Sequence, residues 1–251
     1  MCHDTNSRPP LPPISGGAAS GESIVLKADD GNEFFAFSAK ADKDDAPGMV
    51  ILPDVRGCHS FYEDLALRFA EAGVHATAMD YFGRTAGVSR RADDFDFWPE
   101  VMKTNPDTIA LDAAATIDHV KSLGAKSVFT VGFCFGGRNS FNQAARGHGL
   151  AGVIGFYGMV ASRGEEDTDA PVDKAASYEA PVLGLFGGAD AMITADGIEA
   201  FGKALDTAGV ANELKIYDGA PHSFFDRSFD QFKEACDDAW KRMLAFIETN
   251  S

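Results

Sequence analysis

The segment with the clearest chemical potential is GFCFGG at residues 132–137. An apolar run at Ser127–Val131 precedes it, and a helical pattern from about Gly136 to Ala145 follows it. A nucleophile between a strand and a helix needs small neighbours two positions away on each side, because larger side chains would collide in so tight a turn. The turn places the nucleophile at a helix N-terminus, where the dipole favours a thiolate. The segment predicts a reactive thiol at Cys134 and an oxyanion-binding amide at Phe135.

Two later strand ends supply the partners that a cysteine nucleophile needs. Asp190 follows the strand candidate Val182–Phe186 in the motif GGAD, and His222 follows the candidate Glu213–Tyr217 in the motif GAPHSF. The order nucleophile, acid, base is the order of α/β-hydrolases. His222 would take the thiol proton, and Asp190 would orient the imidazole and stabilise its charged form. Each residue alone has an ordinary structural explanation, so the prediction depends on all three together with Cys134.

The elements that must position these residues alternate between strand patterns and helix patterns. An opening hairpin is predicted at Ser23–Lys27 and Glu33–Ser38. The other strand candidates are 49–52, 74–79, 127–131, 153–156, 182–186 and 213–217, and the helix candidates are 61–72, 106–123, 136–145, 195–208 and 229–249. This alternation predicts βαβ units with a mostly parallel central sheet and helices on both faces, and the order of the three residues adds the expectation of an α/β-hydrolase fold. We expect a single domain over residues 23–251, preceded by a flexible, Pro/Gly/Ser-rich lead over residues 1–22.

The composition and charge of the chain argue against several classes of protein, such as nucleic-acid-binding and membrane-spanning proteins. The 251 residues are 45% hydrophobic and 24% charged, as in globular proteins, and the net charge of −16 repels nucleic acid and anionic lipid. No apolar run of about 18 residues is present, which argues against a membrane span. The four cysteines form no CxxC pair, so we expect reduced thiols, no metal site and a cytoplasmic location. A monomer or a small homo-oligomer is expected.

The motifs GFCFGG, GFYG at residues 155–158, GGAD and GAPHSF together resemble the dienelactone hydrolase family, whose members are also called carboxymethylenebutenolidases. The resemblance runs from about Val25 to the C-terminus. It implies an α/β-hydrolase core without a cofactor, acting on a small-molecule ester or lactone through an acyl-cysteine. By that resemblance, Cys134 is the nucleophile, His222 the base and Asp190 the orienting acid.

The resemblance also implies an acid just after the third strand, where the family has a Glu that contacts the resting thiol and helps to activate it. Asp54 occupies that position here, in the sequence Pro53-Asp54-Val55-Arg56-Gly57, and its side chain is one methylene shorter. The backbone amide of Val55 is the expected second oxyanion donor.

Substrate carboxylate binding is a further implication, because the family uses two arginines. Arg84 fits the first position, in the segment that follows the fourth strand. The second position, four residues after His222, holds Asp226, so Arg227 or Arg56 is the alternative candidate. Tyr81 could line the mouth of the pocket.

Two other functions fit the same residues. A thioesterase or acyltransferase would use the same acyl-cysteine with a different acceptor. An inactive small-molecule binding module would keep the fold without the chemistry.

Overall fold

The computed structural model describes residue 3, residues 6–14 and residues 19–251. Its centre is an eight-stranded sheet with the order β1-β2-β4-β3-β5-β6-β7-β8. The strands are β1 (Ala19–Lys27), β2 (Glu33–Ala41), β3 (Gly48–Leu52), β4 (His75–Met79), β5 (Val128–Phe133), β6 (Gly152–Phe156), β7 (Val182–Gly187) and β8 (Asn212–Tyr217). Strand β2 pairs antiparallel with β1 and β4, and all the other pairs are parallel.

Helices follow most of the parallel strands. They are α1 (Ser60–Glu71), α2 (Gly83–Ala86), α3 (Trp98–Val101), α4 (Pro106–Ser122), α5 (Phe135–Gln143), α6 (Pro171–Lys174), α7 (Ala195–Ala208) and α8 (Lys233–Asn250). Short 3-10 turns occur at Ala175–Ser177 and Asp230–Phe232. Asn105 caps α4 by accepting a hydrogen bond from the amide of Asp107.

The sheet is covered on both of its faces. Every residue of β3, β4, β5, β6 and β7 is buried. Successive side chains of a strand point to opposite faces, so complete burial requires packing partners on each side. This architecture confirms the predicted α/β-hydrolase fold, with its antiparallel hairpin at one edge.

Parallel pairing brings the carboxyl ends of the central strands to one edge of the sheet. Asp54, Cys134, Tyr157, Asp190 and His222 come from the loops that follow β3, β5, β6, β7 and β8 in turn. Open α/β sheets bind their ligands at this edge. The fold therefore places the predicted chemical groups on a common side of the molecule.

The two largest differences from the predicted element boundaries, four residues each, lie at the start of the last helix and at the start of the first strand. The last helix begins at Lys233 rather than at residue 229, because Asp230–Phe232 forms a separate 3-10 turn. Strand β1 begins at Ala19, so the domain boundary expected at residue 22 falls inside a strand. Part of the preceding lead also contacts the domain: the amide of Arg227 donates to the carbonyl of Arg8, 3.1 Å away.

Candidate active site

The turn between β5 and α5 has the geometry of a nucleophile elbow. Cys134 has φ 56° and ψ −113°, a backbone conformation that side-chain-bearing residues rarely adopt. A Cβ atom at Gly132 would lie 1.9 Å from the carbonyl oxygen of Gly136, and one at Gly136 would lie 2.0 Å from the carbonyl oxygen of Leu52. Both glycines are therefore required by close backbone approach, as the motif predicts. The turn places Cys134 immediately before the first residue of α5.

This packing predicts that Gly136→Ala destabilises the protein by about 3 kcal/mol, since backbone atoms cannot move aside without disturbing β3 and α5. Urea unfolding monitored by circular dichroism measures the change. Gly202→Ala in α7 is the matched control, because its Cβ would meet only a flexible leucine side chain at 3.2 Å. We expect the control to change stability by no more than about 1 kcal/mol. Equal effects of the two substitutions would contradict the steric requirement at the elbow.

The strand-end acid and base are paired. Asp190 Oδ2 lies 2.6 Å from Nδ1 of His222, and Asp190 Oδ1 accepts a hydrogen bond from the amide of Met192 at 2.8 Å. Burial raises the pKa of Asp190, but the bonds from His222 and Met192 outweigh this effect and hold the pKa below its ordinary value. Asp190 is therefore a carboxylate at neutral pH and can fix the ring orientation of His222.

His222 interacts electrostatically with both Asp190 and Cys134. Burial lowers the pKa of His222, but the hydrogen bonds with Asp190 and Cys134 and their charges raise it to about 9. Its Nε2 atom is buried and has no nitrogen or oxygen hydrogen-bond partner among the described residues. Because Nδ1 is engaged by Asp190, Nε2 is the atom that is available for proton exchange with Cys134.

Asp54 is completely buried in the loop that follows β3. Its Oδ1 accepts a hydrogen bond from the amide of Arg56 at 2.8 Å, and its Oδ2 accepts one from the amide of His3 at 3.2 Å. Burial raises the pKa of Asp54 to about 6, against the opposing effects of His3 and the Arg56 amide, and the charge of Cys134 raises it further. The carboxyl group is therefore an electrostatic neighbour of Cys134, and it titrates close to the physiological range.

A cavity of about 450 Å³ opens over these groups and is lined by Cys134, His222, Val55, Phe135 and Tyr157. Much of its remaining wall is apolar, with Trp98, Val101, Met102, Ile109, Met192 and Ile193. Such a wall suits a small organic molecule with an apolar body. The two residues predicted to supply oxyanion-binding amides are thus at the same cavity as the thiol.

The structure places the predicted carboxylate-binding arginines away from this cavity. Arg84 does not line it, because its guanidinium group lies 2.5 Å from Asp30 and 2.8 Å from Asp112. Arg227 is exposed and is also absent from the cavity wall. Arg56 is engaged elsewhere, donating a hydrogen bond to the carbonyl of His3 at 2.7 Å. These positions correct the expectation that Arg84, with Arg56 or Arg227, faces the substrate.

Tyr81 also differs from its expected place at the pocket mouth. Its side chain is buried, its hydroxyl donates to the carbonyl of Pro53 at 2.8 Å, and its ring packs against Phe135 at 5.3 Å. Tyr81 therefore supports the loop that carries Asp54 and does not contact the cavity. Tyr81 is held away from the pocket mouth because its hydroxyl is bound to the carbonyl group of Pro53.

Two arginines that the sequence analysis did not select line the cavity instead. Arg138 lies four residues after Cys134 on α5, so one helical turn brings it to the site. Arg138 and Arg163 share Asp167, at 2.6 Å and 3.3 Å respectively. The cavity wall therefore carries two guanidinium groups, those of Arg138 and Arg163, and the carboxylate of Asp169. The helical spacing from Cys134 was a usable signal for Arg138, whereas Arg163 lies in an irregular loop without one.

Among the described residues, no group of three or more histidine, cysteine, aspartate or glutamate side chains is arranged to hold a metal ion. Within the same part of the chain, no helix combines the length and apolar character needed to cross a bilayer. Cys58, Cys134 and Cys236 are not in disulfides. Cys2 lies outside the described residues.

Known proteins share this sequence and architecture. A match to the dienelactone hydrolase family covers residues 34–251. The "Putative carboxymethylenebutenolidase" of Salmonella typhimurium is 30% identical over 242 residues, which are 93% of this chain and 87% of that protein. A protein of the same name from Escherichia coli K12 is 28% identical over 228 residues, covering 87% of this chain and 83% of that protein.

A solved structure gives the same result. The crystal structure titled "Putative Dienelactone Hydrolase" from Klebsiella pneumoniae matches with a TM-score of 0.82 at 27% identity, over 92% of this chain and 99% of that chain. The sheet order and this match define the class of the protein as an α/β-hydrolase. The chain belongs to the dienelactone hydrolase family and is a hydrolase of that family, which confirms the resemblance seen in its motifs.

Proposed function

We propose that this protein hydrolyses an ester or lactone bond of a small molecule through an acyl-cysteine intermediate, with Cys134, His222 and Asp190 as its catalytic triad. The observation that carries the proposal is the 2.6 Å pair between Asp190 and His222 beside Cys134, in a cavity at the carboxyl edge of the sheet. Membership of the dienelactone hydrolase family agrees with this chemistry. Asp54, as a buried carboxyl group coupled to Cys134, is proposed to assist activation of the thiol.

Acylation starts from the state in which the Cys134 proton is on Nε2 of His222, the state that the His222 pKa of about 9 favours at neutral pH. The thiolate forms a bond to the substrate carbonyl carbon, and the negative charge that develops on the carbonyl oxygen is stabilised by the amides of Val55 and Phe135. The carbon–oxygen bond of the ester then breaks, and His222 returns its proton to the leaving oxygen. In a lactone, the leaving oxygen stays attached to the acyl group, so the whole ring-opened molecule remains on sulfur.

Deacylation repeats these steps with water. His222 removes a proton from a water molecule, whose oxygen bonds to the thioester carbon, and the carbon–sulfur bond breaks. The proton stays on His222 beside the Cys134 thiolate, which restores the starting state, and the product leaves as a carboxylic acid. Asp190 stabilises the charged imidazole in both halves of the reaction.

The charge of the cavity wall favours substrates that carry a carboxylate. Arg138 and Arg163 both line the cavity, their shared partner Asp167 does not, and Asp169 is the carboxylate residue of the same wall. In a chain with a net charge of −16, such a local positive site is needed to hold an anion. We therefore place the carboxylate of a substrate at the end of the cavity formed by Arg138 and Arg163.

Turnover of paired neutral and carboxylated lactones tests this proposal. Arg163→Gln is expected to raise KM for carboxylated lactones about tenfold, equivalent to about 1.4 kcal/mol, and to leave neutral lactones unchanged. Arg227→Gln is the matched control, since Arg227 is exposed outside the cavity. The carboxylate site is refuted if Arg227→Gln raises KM and Arg163→Gln does not. Absence of turnover for every ester and lactone would refute the proposed hydrolysis itself.

A further inference from the structure

A histidine from the N-terminal segment lies beside the loop of Asp54. The side chain of His3 is completely buried, and its ring stacks on Phe61 with a centroid distance of 3.9 Å. Its Nε2 is 3.0 Å from the hydroxyl of Tyr157, and its Nδ1 is 3.6 Å from Oδ2 of Asp226. This imidazole therefore contacts helix α1, the loop after β6 and the loop after β8.

The backbone of His3 is bound as well. Its amide donates to Oδ2 of Asp54 at 3.2 Å, and its carbonyl accepts a hydrogen bond from the guanidinium group of Arg56 at 2.7 Å. The amide of Arg56 also donates to Oδ1 of Asp54. His3 therefore binds both residues of this hydrogen bond. A contact of this kind constrains the position of the Asp54 carboxyl group more strongly than the loop alone would.

Several ionisable groups face this cluster. Asp54 is surrounded by His3, Arg56, Cys134 and the phenol of Tyr157. Nε2 of His59 lies 4.0 Å from Oδ1 of Asp54. The hydroxyl of Tyr62 accepts a hydrogen bond from the amide of Asp54, and the phenol of Tyr81 is a further neighbour of this carboxyl group. Burial lowers the pKa of His59 to about 3, so its ring is neutral at physiological pH.

The two carboxyl groups respond to His3 in the same direction. Burial raises the pKa of Asp54, and the charge of His3 is the largest opposing influence. Burial also raises the pKa of Asp226, but the hydrogen bond with His3 and the amide of Ser228 hold that pKa below its ordinary value. His3 thus favours the ionised form of both acids.

We propose that His3 is a positioning residue of the active site, which holds Asp54 in its carboxylate form near Cys134 while its ring contacts Asp226. The inference rests on the proposed role of Asp54 in activating the thiol. It also gives a partner to the acid at position 226, because Nδ1 of His3 lies 3.6 Å from Oδ2 of Asp226. By this proposal, His3 supports the active site without touching the reacting atoms.

The rate at which iodoacetamide alkylates Cys134, measured from pH 4 to pH 8 by peptide mass spectrometry, tests this role without requiring a substrate. We expect an inflection near pH 6 that reports the ionisation of Asp54 and disappears in Asp54→Asn. In His3→Gln, which keeps hydrogen-bonding groups but removes the imidazole, the inflection should move up by about one pH unit. The inflection moves to higher pH because the imidazole of His3 lowers the pKa of Asp54, so its removal raises that pKa.

The control is His59→Asn, which removes a neutral imidazole near the same carboxyl group and retains an acceptor for the start of α1. This variant should leave the inflection where it is. The proposal is overturned if His3→Gln keeps the wild-type profile, if His59→Asn shifts it equally, or if Asp54→Asn retains the inflection. His3→Ala provides a second variant should His3→Gln unfold. A shifted inflection in a protein that hydrolyses no ester would separate this inference from the proposed function.

Discussion

Replacing Cys134 with alanine should lower kcat for lactone or aryl ester hydrolysis by at least about 10,000-fold, because no other group can form the covalent bond to the acyl carbon. The thiol sits at a strained turn that presents it to the cavity beside His222. Removing it leaves the oxyanion donors and the binding surface, which account for the small residual rate. Steady-state kinetics with a chromogenic ester measures the loss.

Cys236→Ser is the matched control for this substitution. The thiol of Cys236 lies in α8 and donates to the carbonyl of Phe224 at 3.3 Å, a contact that a serine hydroxyl can keep. We expect kcat of this variant to equal that of the wild type. Near-normal activity in Cys134→Ala would mean that another residue is the nucleophile, whereas Cys134→Ser is less decisive because its hydroxyl needs a stronger base.

The second large effect is expected for Asp190→Asn, which should lower kcat by about 1,000- to 10,000-fold. The carboxylate accepts from Nδ1 of His222, and an amide at this position would favour the wrong tautomer of the ring. The pH profile should also change. In the wild type, kcat/KM should fall above about pH 9, where His222 loses the proton that the leaving oxygen needs.

In Asp190→Asn this alkaline limb should move to lower pH. Asp190 raises the pKa of His222, so its loss lets burial pull that pKa down. Measurement of kcat/KM from pH 5 to pH 10 tests both statements. A limb that stays near pH 9 in the variant would show that it belongs to a group other than the His222–Cys134 pair.

The parts of the site that follow strand ends were accessible from sequence. Cys134, Asp190 and His222 each come directly after an apolar run, and a parallel sheet brings the ends of such runs to one edge. Position in the chain thus predicts position in space for these residues. The pairing of Asp190 with His222 at 2.6 Å agrees with that expectation.

The arginines were not predictable in the same way, because their partners are distant in sequence. Arg84 contacts Asp30 and Asp112, which lie on separate elements, and nothing local to Arg84 indicates these ion pairs. Arg138 lines the cavity through helical spacing, yet its partner Asp167 comes from an irregular loop. Long, charged side chains follow the nearest counterion, so their direction is set by tertiary structure.

The N-terminal segment shows the same limit. Its polar, Pro-rich composition carries no periodic pattern that would indicate packing, and yet His3 is buried between Asp54 and Asp226. A single side chain that fits a polar cavity leaves no signal in composition or periodicity. Asp54 and Asp226 are far from His3 in sequence, so the position of His3 depends on the tertiary structure.

The central claim is that acyl transfer proceeds through the sulfur of Cys134. Its most direct test is peptide mass spectrometry after brief reaction with p-nitrophenyl acetate and an acid quench, in the wild type and in His222→Asn, where deacylation should be slow. We predict an acetyl group on the peptide that contains Cys134, with greater occupancy in the variant. Release of p-nitrophenol by a protein whose Cys134 is never acylated, or acylation at another residue in its place, would contradict the proposed mechanism.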